Sequence, residues 1–431
     1  MSSGNANGQL IPAGYLHTDG ADIVAADGTR VRLGGVNWYG MECAWTVPGG
    51  LDMRTIDEMC ATVAAFGFNH IRLPYCDHVV SANPRVDRGL AAMPALRGQR
   101  ALDVMDEVVA TASRHGLKVI LDSHRAEPGW SAQENGLWYS RRHPPEAWRA
   151  ALVSVAQRYA GNDTVVGIDL RNEPGSPPVD ESEWPRNGGA RWGEPDRRFT
   201  RHPRDWAAAA EDAGNAVLAA NPNLLIIIEG VRGDPAGPLF DAARHLYWPG
   251  GNLIGVERPG GRRRAGRRIT LDIAGRLVYS AHDYGPDMHP AMPWCRAGTT
   301  ASTSEACRSV WEQTWGHIAR CAIAPVYVGE FGTPNGRWPP QGRARRAYDA
   351  EDGDPQGLWF RYLTEYIGEL GVSWAYWPLN AMNSPGGGRD PGQVEGYGLL
   401  APDWTQPSNP SLLARLRDIQ GPPRSAARPA P

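Results

Sequence analysis

Two glutamates stand at the ends of apolar, strand-like runs and have the chemistry to work together in one reaction. Glu173 follows "VVGIDLRN" and Glu330 follows "VYVG". A carboxylate at the edge of an apolar core must be solvated, paired or used, because burying it unpaired is costly or shifts its pKa. Paired carboxylates suit glycoside hydrolysis, in which one protonates the leaving oxygen and the other attacks the anomeric carbon or activates water. Whether they meet depends on the fold.

Eight apolar, β-rich runs alternate with amphipathic helical patterns along the chain. The runs cover residues 32–38, 69–74, 118–124, 165–174, 224–230, 277–284, 326–332 and 372–380. The helical patterns include residues 51–67, 101–116, 145–161, 205–222 and 305–321. This alternation is typical of βα units around a parallel sheet, and eight units predict an α/β fold of the (β/α)8 TIM barrel type. No GxGxxG motif follows any run, which argues against a nucleotide-binding sheet.

The two ends of the chain differ in character from its centre. Residues 15–33 alternate in polarity around an Asp-Gly turn, which predicts a small N-terminal β-hairpin at the barrel bottom. We expect residues 1–14 to be a flexible N-terminus, residues 15–420 to form a single catalytic domain, and the Pro/Ala-rich residues 421–431 to be a tail.

Polar and aromatic residues recur where the predicted strands end. The carboxyl ends of all eight strands of a TIM barrel converge on one face, where such enzymes place their chemistry. Charged residues with only a structural role would be scattered along the strands, but here polar residues recur near the carboxyl end of one predicted strand after another. The residues are Arg72, His124, Asn172, Glu173, His282, Tyr284, Glu330 and Trp377.

On this fold, Glu173 and Glu330 would face each other across the barrel mouth, from the fourth and seventh strands. A carboxyl separation of about 5 Å is plausible there and favours covalent catalysis with retention. Mutual repulsion should raise one of the two pKa values, and we assign the raised pKa to Glu173.

Several of these residues have a structural alternative. The glutamates could be unrelated surface carboxylates, and Arg72 could serve only as a salt-bridge partner at the core edge. His124 and His282 could be structural histidines. Glu229 also ends a run, and we interpret it as supporting hydrogen bonding rather than catalysis.

The 17 tryptophans exceed what a core needs, and a groove that stacks flat sugar faces uses many. Trp38, Trp130, Trp138 and Trp248 fall in or near βα loops and are candidates for substrate binding. Ordinary packing is an equal alternative for each of them.

Charge and cysteine content exclude some classes of function. A net charge of −3 gives no overall attraction to nucleic acid or anionic membranes, and no run of apolar residues is long enough to span a membrane. The six cysteines form no CxxC, so we expect no zinc site. Without a close pair of histidines we expect no other metal, and hydrolysis by two carboxylates needs no cofactor. Cys295 and Cys307 flank a polar loop that a disulfide could close in an oxidising compartment.

The chain resembles glycoside hydrolase family 5, the cellulase family, and within it bacterial endo-β-1,4-glucanases. The resemblance rests on "GVNWYGME", "FNHIRLPYCD", "VILDSHR", "VVGIDLRNEP", "LVYSAHDY", "PVYVGEFGT" and the Trp of "AYWPLN", which occur in this order over nearly the whole barrel. It implies a retaining hydrolase in which Glu173 is the acid/base and Glu330 the nucleophile. Arg72 would hold Glu330 ionised, and His124, Asn172, His282, Tyr284 and Trp377 match the remaining family positions.

The expected substrate is therefore a β-1,4-linked glucan, hydrolysed by double displacement. Other activities of the family stay open: mannanase, mixed-linkage glucanase, exo-glucosidase or a glycoconjugate-directed enzyme. A silent sugar-binding barrel is a further alternative, although a binder has no use for two opposed carboxylates. We expect secretion, from the substrate class and not from any visible signal peptide, and separately we expect a monomer.

Overall fold

The computed structural model describes residues 11–175, 189–193, 203–232, 247–259, 267–288, 304–336, 354–385 and 392–421. Three short strands come first: β1 (His17–Asp19), β2 (Asp22–Val24) and β3 (Arg30–Val31). Eight strands follow: β4 (Gly34–Asn37), β5 (His70–Cys76), β6 (Lys118–Arg125), β7 (Val165–Asp169), β8 (Leu225–Glu229), β9 (Leu277–Tyr284), β10 (Val326–Gly332) and β11 (Ser373–Tyr376).

The last eight strands form a closed, parallel barrel in the order β10-β11-β4-β5-β6-β7-β8-β9. The predicted (β/α)8 barrel is confirmed, and each strand lies within or overlaps one predicted run. Almost every strand residue is buried, because a barrel strand is covered by side chains inside and by helices outside. This double burial explains why the runs are apolar throughout rather than alternating.

The helices cover the barrel from outside. They are α1 (Ile56–Ala65), α2 (Asp77–Ser81), α3 (Ala101–Arg114), α4 (Pro145–Arg158), α5 (Trp206–Ala220), α6 (Ser304–Trp311), α7 (His317–Arg320), α8 (Pro355–Leu370) and α9 (Pro410–Asp418). A π-helical turn, Glu312–Gly316, joins α6 to α7. Local sequence sets several ends: Thr55 and Glu58 form a capping box at α1, and α8 ends at Gly371 in the left-handed conformation.

The predicted N-terminal hairpin is present as β2 and β3, and β1 extends it to a three-stranded antiparallel sheet. Gly20, with φ of 57°, allows the tight turn that adds β1. Leu16, Ile23 and Val31 pack on residues from the start of the barrel strands, including Val166 and Leu225. The sheet therefore closes the amino end of the barrel.

Some expectations fall outside the described residues. Residues 1–10 and 422–431 do so, and the division into flexible N-terminus, catalytic domain and tail stays a prediction. Cys295 does so too, and its disulfide with Cys307 stays a prediction. Within the described ranges, none of the helices has the length and apolar character needed to cross a bilayer.

Candidate active site

Arg72, in the middle of β5, is fully buried and contacts most of the polar residues at the carboxyl end of the barrel. Its Nη1 donates to Glu330 Oε1 at 2.8 Å and to Asn37 Oδ1 at 2.9 Å. Its Nη2 donates to Asn172 Oδ1 at 3.1 Å. The predicted contact between Arg72 and Glu330 is therefore present, and Arg72 also orients two asparagine side chains.

Three further buried carboxylates surround the same guanidinium. Asp169 Oδ2 accepts from Arg72 Nε at 3.1 Å and from Nη2 at 3.0 Å. Glu229 Oε1 accepts from Nη2 at 3.0 Å, and Asp122 Oδ1 lies 3.1 Å from the same nitrogen. With four carboxylates around one arginine, ionising all of them is unfavourable, and the pKa of Asp169 is raised well above its usual range by burial and by the charge of Glu229. Acids therefore outnumber the arginine at this end of the barrel, and burial together with the charge of Glu229 favours the protonated form of Asp169.

Glu173 follows β7 and adopts an unusual backbone conformation, with φ of 50°. Such a left-handed conformation costs a non-glycine residue about 1–2 kcal/mol. Its N–H donates to Glu229 Oε2 at 2.7 Å, a charge-assisted hydrogen bond of the kind worth about 1.5–3 kcal/mol. The contact is strong enough to offset the strain and turns the Glu173 side chain into the site.

The Glu173 carboxyl group is buried among donors. Trp248 Nε1 donates to its Oε1, and His282 Nδ1 lies 3.1 Å from the same oxygen. Burial raises the pKa of Glu173, the His282 hydrogen bond lowers it, and the charge of Glu330 raises it further, with a net rise. The direction agrees with the assignment made from the sequence.

Glu330 is brought into the site by an irregularity in β10. The register between β10 and β9 shifts between Val328 and Glu330, which sets Glu330 opposite His282. Gly329 permits this, because a Cβ there would lie 2.7 Å from Ser280 Oγ and 3.0 Å from His282 Nε2. Tyr284 donates from its hydroxyl to Glu330 Oε2 at 3.1 Å.

His282 stands between the two glutamates. Its Nδ1 lies 3.7 Å from Glu330 Oε2 as well as 3.1 Å from Glu173, and its Nε2 lies 3.1 Å from Glu229 Oε1. Burial alone would lower the pKa of His282, but Glu229 and Glu330 raise it well above its usual range. One atom each of Glu173, His282 and Glu330 lie within 4.8 Å of one another. The two carboxyl groups are therefore as close as a shared acetal carbon requires.

Two predicted residues, His124 and Trp377, form a second part of the site beside this cluster. His124 Nδ1 lies 2.6 Å from Asp122 Oδ2. The His124 ring stacks with Trp377 at 5.7 Å, and Tyr39 stacks with Trp377 at 5.2 Å. Tyr39 is in turn fixed by a 2.9 Å hydrogen bond from its hydroxyl to Glu395. Trp377 is held as a rigid plane at the edge of the site.

The four candidate tryptophans have different outcomes. Trp38 is fully buried in the main core, and Trp138 is 1% exposed and packs against Trp148 and Trp206. Neither presents a face to a ligand, so their prediction as substrate-binding residues is wrong. Trp38 directly follows inward-facing Asn37, and alternation along a strand turns its side chain outward. Trp248 contacts Glu173, whereas Trp130, 38% exposed, stays a prediction.

Sequence reasoning missed Asp122 and Asp169 and undervalued Glu229. A signal for Asp122 was present, because it lies two residues before His124 and alternation puts both on one strand face. No comparable signal marks Asp169, whose role depends on Arg72 reaching it from a distant part of the chain.

The residues of the site also include a group that could hold a metal ion. Among the described residues, Glu173, His282 and Glu330 offer ligand atoms close enough together for a metal ion. These atoms are engaged by one another and by donors from Arg72, Tyr284 and Trp248. The set is thus arranged as a hydrogen-bonded acid pair.

Comparison with known proteins places this site in context. The cellulase family (glycosyl hydrolase family 5) matches residues 24–383. An endoglucanase of Paenibacillus polymyxa is 36% identical over 406 residues, which cover 94% of this chain and 87% of the relative. The major extracellular endoglucanase of Xanthomonas campestris pv. campestris is 28% identical over 402 residues, which cover 91% of this chain and 68% of the relative.

A solved structure is similar over almost the whole chain. It is an endocellulase of Pyrococcus horikoshii in complex with cellotetraose, with 27% sequence identity and a TM-score of 0.74. The match covers 94% of this chain and 98% of the other.

Proposed function

The chain belongs to the cellulase family, glycosyl hydrolase family 5, and is a glycoside hydrolase; from this premise we propose that it cleaves β-1,4-glucan internally and with retention. The observation that carries the proposal is the close approach of Glu173 and Glu330 in different environments. Glu330 accepts hydrogen bonds from Arg72 and Tyr284, whereas burial and the charge of Glu330 raise the pKa of Glu173. One group is thus prepared as a nucleophile and the other as an acid.

In the first step, a Glu330 oxygen attacks the anomeric carbon and forms an ester bond. The bond from that carbon to the leaving oxygen breaks, and Glu173 gives its proton to the departing alcohol. Esterification removes the negative charge of Glu330, which had raised the pKa of Glu173. The pKa of Glu173 then falls and prepares it to act as a base.

In the second step, Glu173 takes a proton from water while the water oxygen attacks the anomeric carbon. The ester bond to Glu330 breaks and returns the carboxylate. Two inversions leave the product in the β configuration of the substrate.

Other site residues support this exchange. Because Asn172 Oδ1 accepts from Arg72, its amide nitrogen is directed as a donor, which suits the 2-hydroxyl of the reacting sugar. Trp377 supplies a flat face for a sugar ring, and stacking with His124 fixes the orientation of the Trp377 ring. His282 contacts the carboxyl groups of both glutamates and so holds them in position relative to each other.

The substrate follows from the relatives. One is an endoglucanase, and another binds cellotetraose, which points to a β-1,4-glucan chain for this protein as well. An extracellular relative and a polymeric substrate support action outside the cell.

Product analysis by proton NMR on a panel of β-glycans tests this function. We expect the highest kcat/KM on soluble β-1,4-glucan, internal cleavage, and new reducing ends that appear first as the β anomer. Release of the α anomer first, or a preference for mannan or for single terminal sugars, would contradict the proposal. Glu365 is a partly exposed glutamate on α8 that pairs with Arg415. Glu365→Ala is the matched control for variants that lose Glu173 or Glu330, and it should retain full activity.

A further inference from the structure

Glu229, the last residue of β8, occupies a position that the mechanism above does not use. It is fully buried, and its two carboxylate oxygens have different partners. Oε1 accepts from Arg72 at 3.0 Å and lies 3.1 Å from His282 Nε2. Oε2 accepts from the backbone N–H of Glu173 at 2.7 Å. One side chain therefore touches three members of the catalytic cluster.

The Oε2 contact is the one that bears on the acid/base. Glu173 holds a left-handed backbone conformation, and its direction into the site depends on that conformation. Glu229 binds the N–H of this same residue, and it also contacts His282, which binds the Glu173 side chain. Glu229 therefore holds the backbone of Glu173 directly and its side chain through His282.

Glu229 is itself held in a rigid setting. Trp206 Nε1 donates to its backbone oxygen at 2.8 Å, and the next residue, Gly230, donates to the Gly250 oxygen at 2.7 Å. Gly250 lies against the carboxylate: a Cβ there would be 2.2 Å from Glu229 Oε2 and 3.2 Å from Glu173 Cα. The space for the Glu229–Glu173 contact exists only because residue 250 has no side chain.

We propose that Glu229 is a positioning residue that holds Glu173 in the geometry required for proton transfer to the leaving group. The inference rests on the proposed role of Glu173 as acid/base. It assigns Glu229 no contact with substrate.

Leaving groups of different basicity separate this role from a general structural one. An alkoxide leaving from cellotetraose needs a proton, whereas dinitrophenolate leaves without one. Misplacing the acid should therefore lower kcat/KM on cellotetraose and spare an aryl glycoside. Loss of fold or of nucleophile alignment would lower both.

The first variant is Glu229→Gln. The neighbours of the carboxylate on both sides are donors, so the amide nitrogen of Gln must face one of them and break that contact. We expect kcat/KM on cellotetraose to fall about 30-fold or more, and on dinitrophenyl β-cellobioside less than about 3-fold, since general acid catalysis contributes about 10²–10⁴-fold.

The second variant, Gly250→Ala, displaces Glu229 Oε2 without changing any charge, and it keeps the test decisive if Glu229→Gln fails to fold. Its control is Gly116→Ala, since Gly116 has a similar φ of +70° but an added Cβ there meets nothing within 4 Å. We expect the leaving-group selective loss in Gly250→Ala and none in Gly116→Ala.

Equal losses on both substrates, or no loss, in Glu229→Gln and Gly250→Ala would overturn the inference. Glu173→Ala is measured alongside as the reference. If that variant lost activity equally on both substrates, the proposed acid role of Glu173 would itself fail, and the inference with it.

Discussion

The two ends of the barrel are built from the same strands but have opposite chemistry. At the amino end, Val166, Leu225 and Val278 pack beneath the small N-terminal sheet in an apolar cluster. At the carboxyl end, a few residues further along the same strands, Asp169, Glu229 and His282 surround Arg72 or one another. The comparison shows a division of labour along each strand, in which one end contributes stability and the other end carries unfavourable charge for the sake of chemistry.

A change at the carboxyl end should have the largest effect on activity. Glu330→Ala removes the attacking group, and we expect kcat/KM on soluble β-1,4-glucan to fall by about 10⁴-fold or more while the fold is retained. Steady-state kinetics and a thermal melt measure both. Activity close to the unchanged protein would exclude Glu330 as the nucleophile.

The charge balance of the carboxyl end depends on Arg72. Arg72→Met leaves its buried carboxylates unpaired, and we expect the free energy of unfolding to fall by about 3–5 kcal/mol at neutral pH. The loss should shrink as pH falls, because protonation removes the repulsion. Denaturant unfolding at pH 5 and pH 7.5 checks this, and a loss independent of pH would contradict it.

A change at the amino end should lower stability without affecting activity. Leu16→Ala opens a cavity in the apolar cluster, and we expect about 3 kcal/mol lower stability with kcat/KM unchanged below the melting transition. A change in kcat/KM of more than about threefold would show that the two ends are coupled.

Asp283 sharpens the comparison, because it is a buried acid outside the catalytic cluster. Burial raises its pKa to about 7, partly offset by donors from Tyr247 and Trp311. The native state therefore binds this proton more tightly than the unfolded state, and stability is lost as pH rises from about 4 to about 7, at up to 1.36 kcal/mol per pH unit. Asp283→Asn mimics the protonated form and should gain stability over the unchanged protein across that window. Parallel stability curves for the two proteins would contradict this.

The smallest expected effect concerns the donor to Glu173. Trp248→Phe removes a hydrogen bond that favours the ionised carboxylate, so the pKa of Glu173 should rise further. The acid then stays protonated to higher pH, and the alkaline limb of kcat/KM should move up by less than about one pH unit. Trp138→Phe, in the core, is the control and should leave the limb in place.

The sequence was most informative where one strand alone carries the signal. The eight runs locate the barrel strands, and the polar residues at or near their carboxyl ends locate Glu173, Glu330 and His282, because strand direction decides which end faces the site. Local alternation could also have excluded Trp38, which follows inward-facing Asn37. The bulge at Gly329 and the left-handed turn at Glu173 are recognisable only once the neighbouring strands are in place.

Contacts between distant strands were not predictable in this way. Asp169 and Glu229 look like ordinary strand-end acids until Arg72 is seen to reach both. The two Glu229 oxygens can bind different partners only because Gly250 leaves room for one of them. Gly250 comes later in the sequence and packs back on β8. Such roles arise from closure of the barrel and have no pattern within any single run.

Trapping the covalent intermediate tests the central claim most directly. A 2-deoxy-2-fluoro cellobioside with an activated leaving group should react once and leave its sugar on the enzyme. The fluorine slows both formation and hydrolysis of the ester, but the activated leaving group offsets this for formation only, so the ester accumulates. Mass spectrometry of the protein and its peptides should find one fluorinated sugar unit per chain, attached to Glu330. A label on Glu173 or on any other residue would contradict the account.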